Sequence, residues 1–533
     1  MRYHLPAIPA LCITCLMCAG ARAQHATHSI LYNSITNLHA EGDALWVGPF
    51  LNVTLDGGAT WHVANADSLV GLVNRAYSID IDGDVIWEGI GTTRAVESGG
   101  ADQTVHLARG FLYSPDAGVV WTYRPPNAPS DTDPSTTGIL DLPDDTLTAY
   151  GDVFLPTLAI TAPEQNPPWD IDYDPMTGHV WTASQLAGLR RSTDGGLTWE
   201  RTVLPPDTTR YLSPELGYEF LFFVQPTRVP VNQFYGLNFQ VFSVLVNATG
   251  TVWAGTAGGL NRSLDGGASW YHYTTADGLT SNWILSIEDQ PRPGNTPAIW
   301  IATGPGRPDE GGSGNYGVVA SRDRGETFEP VLFGETAYDF AFDGSRVYAA
   351  GLGGLFISED DGRTFRTERE FYDPSQSGHS TAPVTETYAV EVAPSGIWVG
   401  TRDSLFNSRD GGHTWRSYRA DVPLSPDGLP PTVPASLVSK VETYAYPNPF
   451  SPSSDRLVRM RYRLTAEDQV TIRIFDFGMN PVRRLNDSST GSDEREVPWD
   501  GTDDNGMRAA NGAYFYAIQT GGQIFWGKIL VIE

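Results

Sequence analysis

Around residue 250 the chain alternates apolar and polar positions in short runs that break at Gly, Asn and Asp. Phe242-Ser243-Val244-Leu245-Val246 is one such run, and Asn247-Ala248-Thr249-Gly250 interrupts it. Thr251-Val252-Trp253-Ala254-Gly255, Gly259-Leu260-Asn261-Arg262-Ser263 and Ser269-Trp270-Tyr271-His272-Tyr273 follow. Period-two runs of this length, bounded by turn residues, predict four antiparallel strands.

The same order recurs from Ile35 onward. The third and fourth runs are always joined by an aspartate-centred turn, seven times in all, at Asp56, Asp116, Asp194, Asp265, Asp323, Asp360 and Asp410. A hydroxyl residue stands two positions before each Asp. An aromatic closes each turn: Trp61, Trp121, Trp199, Trp270, Phe328, Phe365 and Trp415. The carboxylate accepts from backbone amides just ahead, and Gly supplies positive φ. The second run carries its own mark, Trp46, Trp87, Trp181, Trp253, Trp300, Tyr348 and Trp398. Two aromatic marks in step with one turn, over seven units of four strands, predict an all-β seven-bladed β-propeller.

The sequence Ser-x-Asp-Gly-Gly-x-Thr-Trp resembles the Asp-box, or BNR, repeat of sialidases and related propellers, over roughly residues 35–418. The strand pair before it also resembles the propeller repeats of bacterial two-component sensors. The resemblance implies an architecture and not a chemistry. In the family this turn lies away from the active-site face, so the seven aspartates are expected to be structural.

In a four-stranded meander the turns after strands one and three lie on one side, and the connections after strands two and four on the other. The first side is tight. The second carries the large insertions 89–110, 125–168, 205–238, 305–317 and 367–386, which makes it the expected ligand face. The aromatic insertion 218–224, with Phe234, Tyr235 and Phe239, is expected to pack over the propeller, with a stacking surface as the alternative.

Near Pro423 the repeat ends in a Pro-rich stretch, so residues 421–440 read as a semi-rigid linker. Residues 441–533 alternate as strands without an Asp turn. Tyr446-Pro447-Asn448-Pro449-Phe450, the run from Val470 to Asp476, Trp499-Asp500-Gly501-Thr502 and Asn511-Gly512-Ala513-Tyr514 resemble an immunoglobulin-like module. That module is shared by flagellar hook-capping proteins and the C-terminal sorting domains of type IX secretion. The resemblance implies a β-sandwich used for export or surface attachment, although the chain ends on Glu533 where such tails often end on a basic residue.

Composition fits this picture. The 56 Gly and 38 Pro favour many turns over long helices. Residues 1–23 read as a signal peptide, an apolar run behind Arg2 that ends in Ala21-Arg22-Ala23. All three cysteines, Cys12, Cys15 and Cys18, lie in it, which leaves the mature chain, beginning with the propeller at 24–420, without thiol chemistry. The net charge is -28, and the only lysines are Lys440 and Lys528. Such an acidic surface is a poor partner for nucleic acid or anionic lipid, and no later segment is apolar for long enough to span a membrane.

No catalytic set emerges from the sequence. A sialidase needs an arginine-led motif before the first Asp turn, and no arginine occurs between residues 24 and 55. Other glycosidases need two carboxylates about 5 to 10 Å apart. The loop acids Glu97, Asp102, Asp309, Glu310, Glu368, Glu370 and Asp373 are candidates without a favoured pair. The oxygen-rich runs Asp80-Ile81-Asp82-Gly83-Asp84 and the stretch from Asp500 to Gly506 lack a distal Glu and read as turns rather than calcium loops. His39, His62, His106, His179, His272, His379 and His413 lack metal-ligand spacing, so neither a metal nor another cofactor is expected.

The sequence therefore reads as an exported monomer at the cell surface or outside the cell. It is expected to bind an extracellular glycan or protein without catalysis and to engage the secretion or attachment machinery through its tail. A glycoside hydrolase or lyase on the same propeller is the alternative. A sensory or assembly-factor propeller is a third reading, disfavoured by the lack of a membrane span or signalling domain.

Overall fold

The computed structural model describes residues 24–27, 29–64, 75–98, 101–125, 147–156, 166–185, 187–216, 236–293, 297–306, 315–373, 386–425, 436, 438–489 and 494–533. Residues 1–23, expected to be a signal peptide, lie outside them. So do most of the expected long loops, the aromatic run 218–224, and Phe234 and Tyr235.

Seven antiparallel sheets follow one another along the chain, each built on a four-stranded meander, with Gln24–Thr27 added as a fifth strand to the first and Tyr211–Leu212 to the fourth. In blade 4 the strands are Val241–Val246, Val252–Thr256, Leu260–Ser263 and Trp270–Tyr273, close to the runs read from sequence. The innermost strands are Leu38–Glu41, Arg75–Asp82, Asp170–Asp174, Val241–Val246, Ile284–Gln290, Ala337–Asp343 and Thr387–Ala393. Each stands beside the next and the last returns to the first, so the sheets close a ring around one axis. This is the seven-bladed propeller that the repeats predict.

The 89–110 insertion is not a loop. Val85–Ser98 and Ala101–Ser114 run in register as one long hairpin, in keeping with the β-branched Thr92, Thr93, Val96 and Val105 along it.

Blades pack through the two aromatic marks. Trp46, Trp87, Trp181, Trp253 and Trp300 are buried, and each lies against an Asp-turn glycine of the next blade: Gly118, Gly196, Gly267, Gly325 and Gly362. Where blade 7 meets blade 1, Tyr418 lies against Gly58, and Trp61 meets Trp398 and Tyr418 at centroid distances of 6.2 and 5.5 Å. Blade 1 takes all four meander strands from consecutive chain, so no strand is exchanged across the closure. Backbone bonds such as Ile35 N–H to the Thr401 carbonyl at 2.9 Å join the ends instead.

The C-terminal region is a β-sandwich. Thr443–Tyr446, Val458–Arg463 and Glu494–Trp499 form one sheet, and Pro481–Ser489, Asp468–Phe475, Gly512–Gln519 and Ile524–Val531 the other. Val470, Ile472 and Ile474 alternate inward against Met460, Tyr462, Trp499 and Tyr516. Among the described residues no helix is long and apolar enough to cross a membrane.

The sandwich docks on blade 7 through charge. Arg459, which is 2% exposed, ion-pairs with Asp403 of the propeller; Arg419, 4% exposed, pairs with Glu496 of the sandwich. Arg461 bridges Asp421 and Glu494, and Arg456 reaches Glu386 at 3.1 Å. The Leu424 amide donates to Glu494, so the first residues of the expected linker are held against the sandwich.

Candidate functional site

The seven Asp turns share one bonding pattern. In each, a Ser or Thr hydroxyl donates to the Asp at 2.8–2.9 Å and accepts from the Gly amide two residues beyond that Asp at 2.8–2.9 Å. The same carboxylate accepts the amide four residues on, as from Ser269 to Asp265 at 2.8 Å. The Thr364 hydroxyl, and then its amide, hold the Asp360 carboxyl down at about 2. Trp61, Trp121, Trp199, Trp270 and Trp415 are all buried. Each of the seven carboxylates is engaged within its own turn.

The innermost strands meet at a cavity of about 420 Å³ on the axis. It is lined by Asn37 and His39 of blade 1, Tyr77 of blade 2, and Trp169 and Asp170 of blade 3. Phe242, Leu285, Glu288, Tyr338, Asp339, Tyr388 and Glu391 come from blades 4 to 7.

The same local device places five of these side chains. The first strand carries a bulge between Ala76 and Ser78, Val241 and Ser243, Ile284 and Ser286, Ala337 and Asp339, and Thr387 and Ala389. The extra residue in each case is Tyr77, Phe242, Leu285, Tyr338 or Tyr388, and all five line the cavity. A bulge inserts one residue and re-aims its side chain, which here turns a row of strand residues into a collar. Tyr77 packs edge-on against Trp169, 5.4 Å between centroids, and Phe242 stacks on Trp283 at 5.1 Å.

The collar lies at the starting ends of the first strands. Val246 pairs with Val252, and Val252 with Ser263, so the Asp turns lie at the finishing ends. The cavity therefore faces the side of the second- and fourth-strand connections, the ligand face expected from loop length.

Carboxylates fill the wall. Asp80 accepts from its neighbour Ile81 and across the blade gap from Tyr173, at 2.8 and 2.7 Å. Asp170 does the same with Ile171 and Val244, both 2.9 Å. Asp339 accepts from Phe340 and Val390, and Glu391 from Val392 and Ala40. Asp172 accepts from Val246. These bonds satisfy amides on the inner sheet edges, which would otherwise stand open. Glu391 thereby joins blade 7 to blade 1.

Glu288 breaks the rule: among the described residues its carboxyl has no hydrogen-bond partner. Burial pushes it well above the ordinary range, reinforced by Asp339, Asp170, Asp289 and Asp172. Burial likewise raises Asp170 to about 7 and Asp339 to about 7, against the pull of their amide bonds.

The sequence-derived loop acids do not assemble here. Asp309 and Glu310 lie outside the described residues. Glu97 and Asp102 are backbone register partners near the tip of the long hairpin, and Glu368 lies 3.6 Å from Arg366. Glu370 is exposed, whereas Asp373 is buried and accepts from the Ser417 amide at 2.8 Å. His39, one of the histidines without metal-ligand spacing, faces the axis and meets the Ile81 carbonyl at 3.1 Å. The missed signal was an acid set into an otherwise apolar first strand, as in Ile171-Asp172, Ile287-Glu288 and Val390-Glu391-Val392. Among the described residues no group of three His, Cys, Asp or Glu is placed to hold a metal.

Residues 455–523 match the FlgD Ig-like domain family. No curated protein matches the chain. Similar solved structures include YCF48 bound to D1 peptide, 14% identical, covering 76% of this chain and 97% of that one, with a TM-score of 0.40. PorZ, a surface component of the type IX secretion system of Porphyromonas gingivalis, is 13% identical over 94% and 82%, with a TM-score of 0.30. The Niastella koreensis GH74 enzyme is 10% identical over 96% and 75%, with a TM-score of 0.45.

Proposed function

We propose that the chain is an exported, non-catalytic binding scaffold of the Asp-box type. It seats an extracellular glycan or protein ligand in the collared axial cavity on its long-loop face. The C-terminal module serves its sorting or attachment at the surface. The observation that carries this reading is the repeated bulge, which five blades use to turn a large apolar or aromatic side chain toward one cavity. Packing alone needs no such repetition, whereas a ligand seat does.

A glycosidase would need one wall carboxyl free to give a proton and another to act as base or nucleophile. Glu288 is unengaged and could give the proton, but Asp170 and Asp339, the raised acids nearest it in the wall, have both oxygens engaged by backbone amides, so neither is free to act as the second group. Binding without turnover is therefore the stronger reading.

The test is a panel of glycans and extracellular proteins offered to the mature chain, with Tyr338→Ala and Tyr388→Ala beside it. Saturable binding lost in the folded variants supports the seat. Binding that survives both changes, or turnover of any panel glycan, overturns it.

A further inference from the structure

No lysine or arginine lines the axial cavity among the described residues. Its wall instead presents Asp170, Glu288, Asp339 and Glu391, with His39 as the one basic side chain. Asp80, Asp172 and Asp289 stand close enough to act on these carboxyls through space. Acidic lining by itself is explained by the amide bonds that Asp170, Asp339 and Glu391 accept. Glu288 is not explained in that way. It stands half-buried on an innermost strand in the cavity wall, beside Asp289 and within electrostatic reach of Asp170, Asp172 and Asp339, with no protein donor among the described residues.

A carboxyl partly withdrawn from water without a protein partner is costly to ionise, and more so among other acids. A ligand that brings positive charge removes both costs at once. The approach to Glu288 is aromatic, with Tyr77, Trp169, Phe242, Tyr338 and Tyr388 on the same cavity. Aromatic faces attract ammonium and guanidinium groups and repel anions.

We propose that the axial cavity takes a cationic group, a guanidinium or ammonium of the kind carried on a basic side chain, with Glu288 as its carboxylate partner and the bulged tyrosines as its neck. The assignment rests on the collared cavity being the ligand seat and names what enters it. Among the sources of that chemistry, a basic side chain projecting from an extracellular protein fits a cavity of about 420 Å³ on the propeller axis. A free polyamine carries the same group.

Entry of the cation expels a proton from Glu288 and from the wall acids held near neutrality, so binding strengthens as pH rises from 6 to 8. The acids that set this dependence are Asp80, Asp170, Asp172, Glu288, Asp289, Asp339 and Glu391, with the His39 side chain facing them.

The experiment is calorimetric titration of the mature full-length chain with N-acetyl-arginine amide, spermidine, N-acetyl-glutamine amide and a neutral oligosaccharide, at pH 6 and pH 8. The expected result is one site for the arginine derivative and no heat from the glutamine analogue. Affinity rises at least tenfold between the two pH values, with proton release visible as a dependence on buffer ionisation enthalpy. Glu288→Gln lowers that affinity at least tenfold while the thermal midpoint holds or rises. Preference for spermidine identifies a free amine rather than a protein-borne one.

Equal binding of the glutamine analogue, full affinity in Glu288→Gln, or no binding of either cation overturns the proposal. If the oligosaccharide alone binds and Tyr338→Ala abolishes it, the seat stands and its cationic ligand does not. If nothing binds at the cavity, both fall.

Discussion

Trp181 of blade 3 lies over Gly267 of blade 4, and a Cβ on Gly267 would fall 2.6 Å from Trp181 Cη2. The two residues are separate marks of the repeat, one on a second strand and one in an Asp turn. Their meeting explains why both recur in step: blades 1 to 5 each present a flat indole, and the next blade presents the one residue that lets it approach. Gly267 also has a φ of +89°, in the region that favours glycine. Gly267→Ala is therefore expected to cost about 2 to 4 kcal/mol from backbone strain and overpacking together. Chemical denaturation of the variant measures it, and a loss under about 0.5 kcal/mol, the range of an ordinary surface change, would reject this packing.

The junction between propeller and sandwich yields a second expectation. Arg459 is held by Asp403 against the cost of burial, with Glu496 adding to the pull. Removing one member of a buried pair leaves the other uncompensated, at about 3 to 5 kcal/mol. Arg459→Met is expected to uncouple the domains, so that calorimetry resolves two transitions where the parent shows one. A single unshifted transition in the variant would show that the network does not couple them.

How much of this was legible in sequence follows from what each element depends on. The blades were legible because Asp265, Gly267 and Trp270 act within one local turn, and local chemistry repeats visibly. The sandwich was legible for the same reason: Val470, Ile472 and Ile474 alternate. The axial wall was not, because Asp170 becomes meaningful only when Val244, 74 residues away, brings its amide alongside. The collar was hidden too, since a bulge at Tyr338 is a property of pairing and leaves no composition signal. Arg322 shows the same limit: it donates to the Asp361 carbonyl of the next blade at 2.6 Å and lies over Trp300, which no spacing rule announces.

The wall acids make stability depend on pH. Asp170 and Asp339 have pKa values raised from the ordinary carboxylate range to about 7. The folded chain therefore binds their protons more tightly than the unfolded chain does. The resulting stabilisation is full below about pH 4 and is lost as pH rises through 7. The wall thus lowers the thermal midpoint between pH 5.5 and 8.5, and Asp339→Asn is expected to flatten that slope. An identical slope in Asp339→Asn would show that the wall is not its source. Asp360 and Asp410 of the Asp turns act in the opposite sense: their depressed carboxyls lose their contribution only in strong acid, as pH falls from about 4 to about 2.

Asp265 and Glu288 separate architecture from function. Asp265 accepts from the Ser263 hydroxyl at 2.8 Å, the Ser269 amide at 2.8 Å and the Ser269 hydroxyl at 2.6 Å, all inside a turn at the finishing ends of the strands. Glu288 stands in the cavity reached from the starting ends, with no such bonds. Asp265→Ala is expected to lose about 1 to 2 kcal/mol of stability, since the turn is exposed and water replaces part of what is lost. Ligand affinity should stay within a factor of two. Trp270→Ala, which empties a fully buried site, is expected to cost about 3 to 5 kcal/mol. Paired denaturation and binding curves decide the matter. A folded Asp265→Ala chain that keeps its stability yet loses its ligand would move the functional face to the Asp turns. The reverse pattern, stability lost and affinity kept, leaves function at the cavity around Glu288.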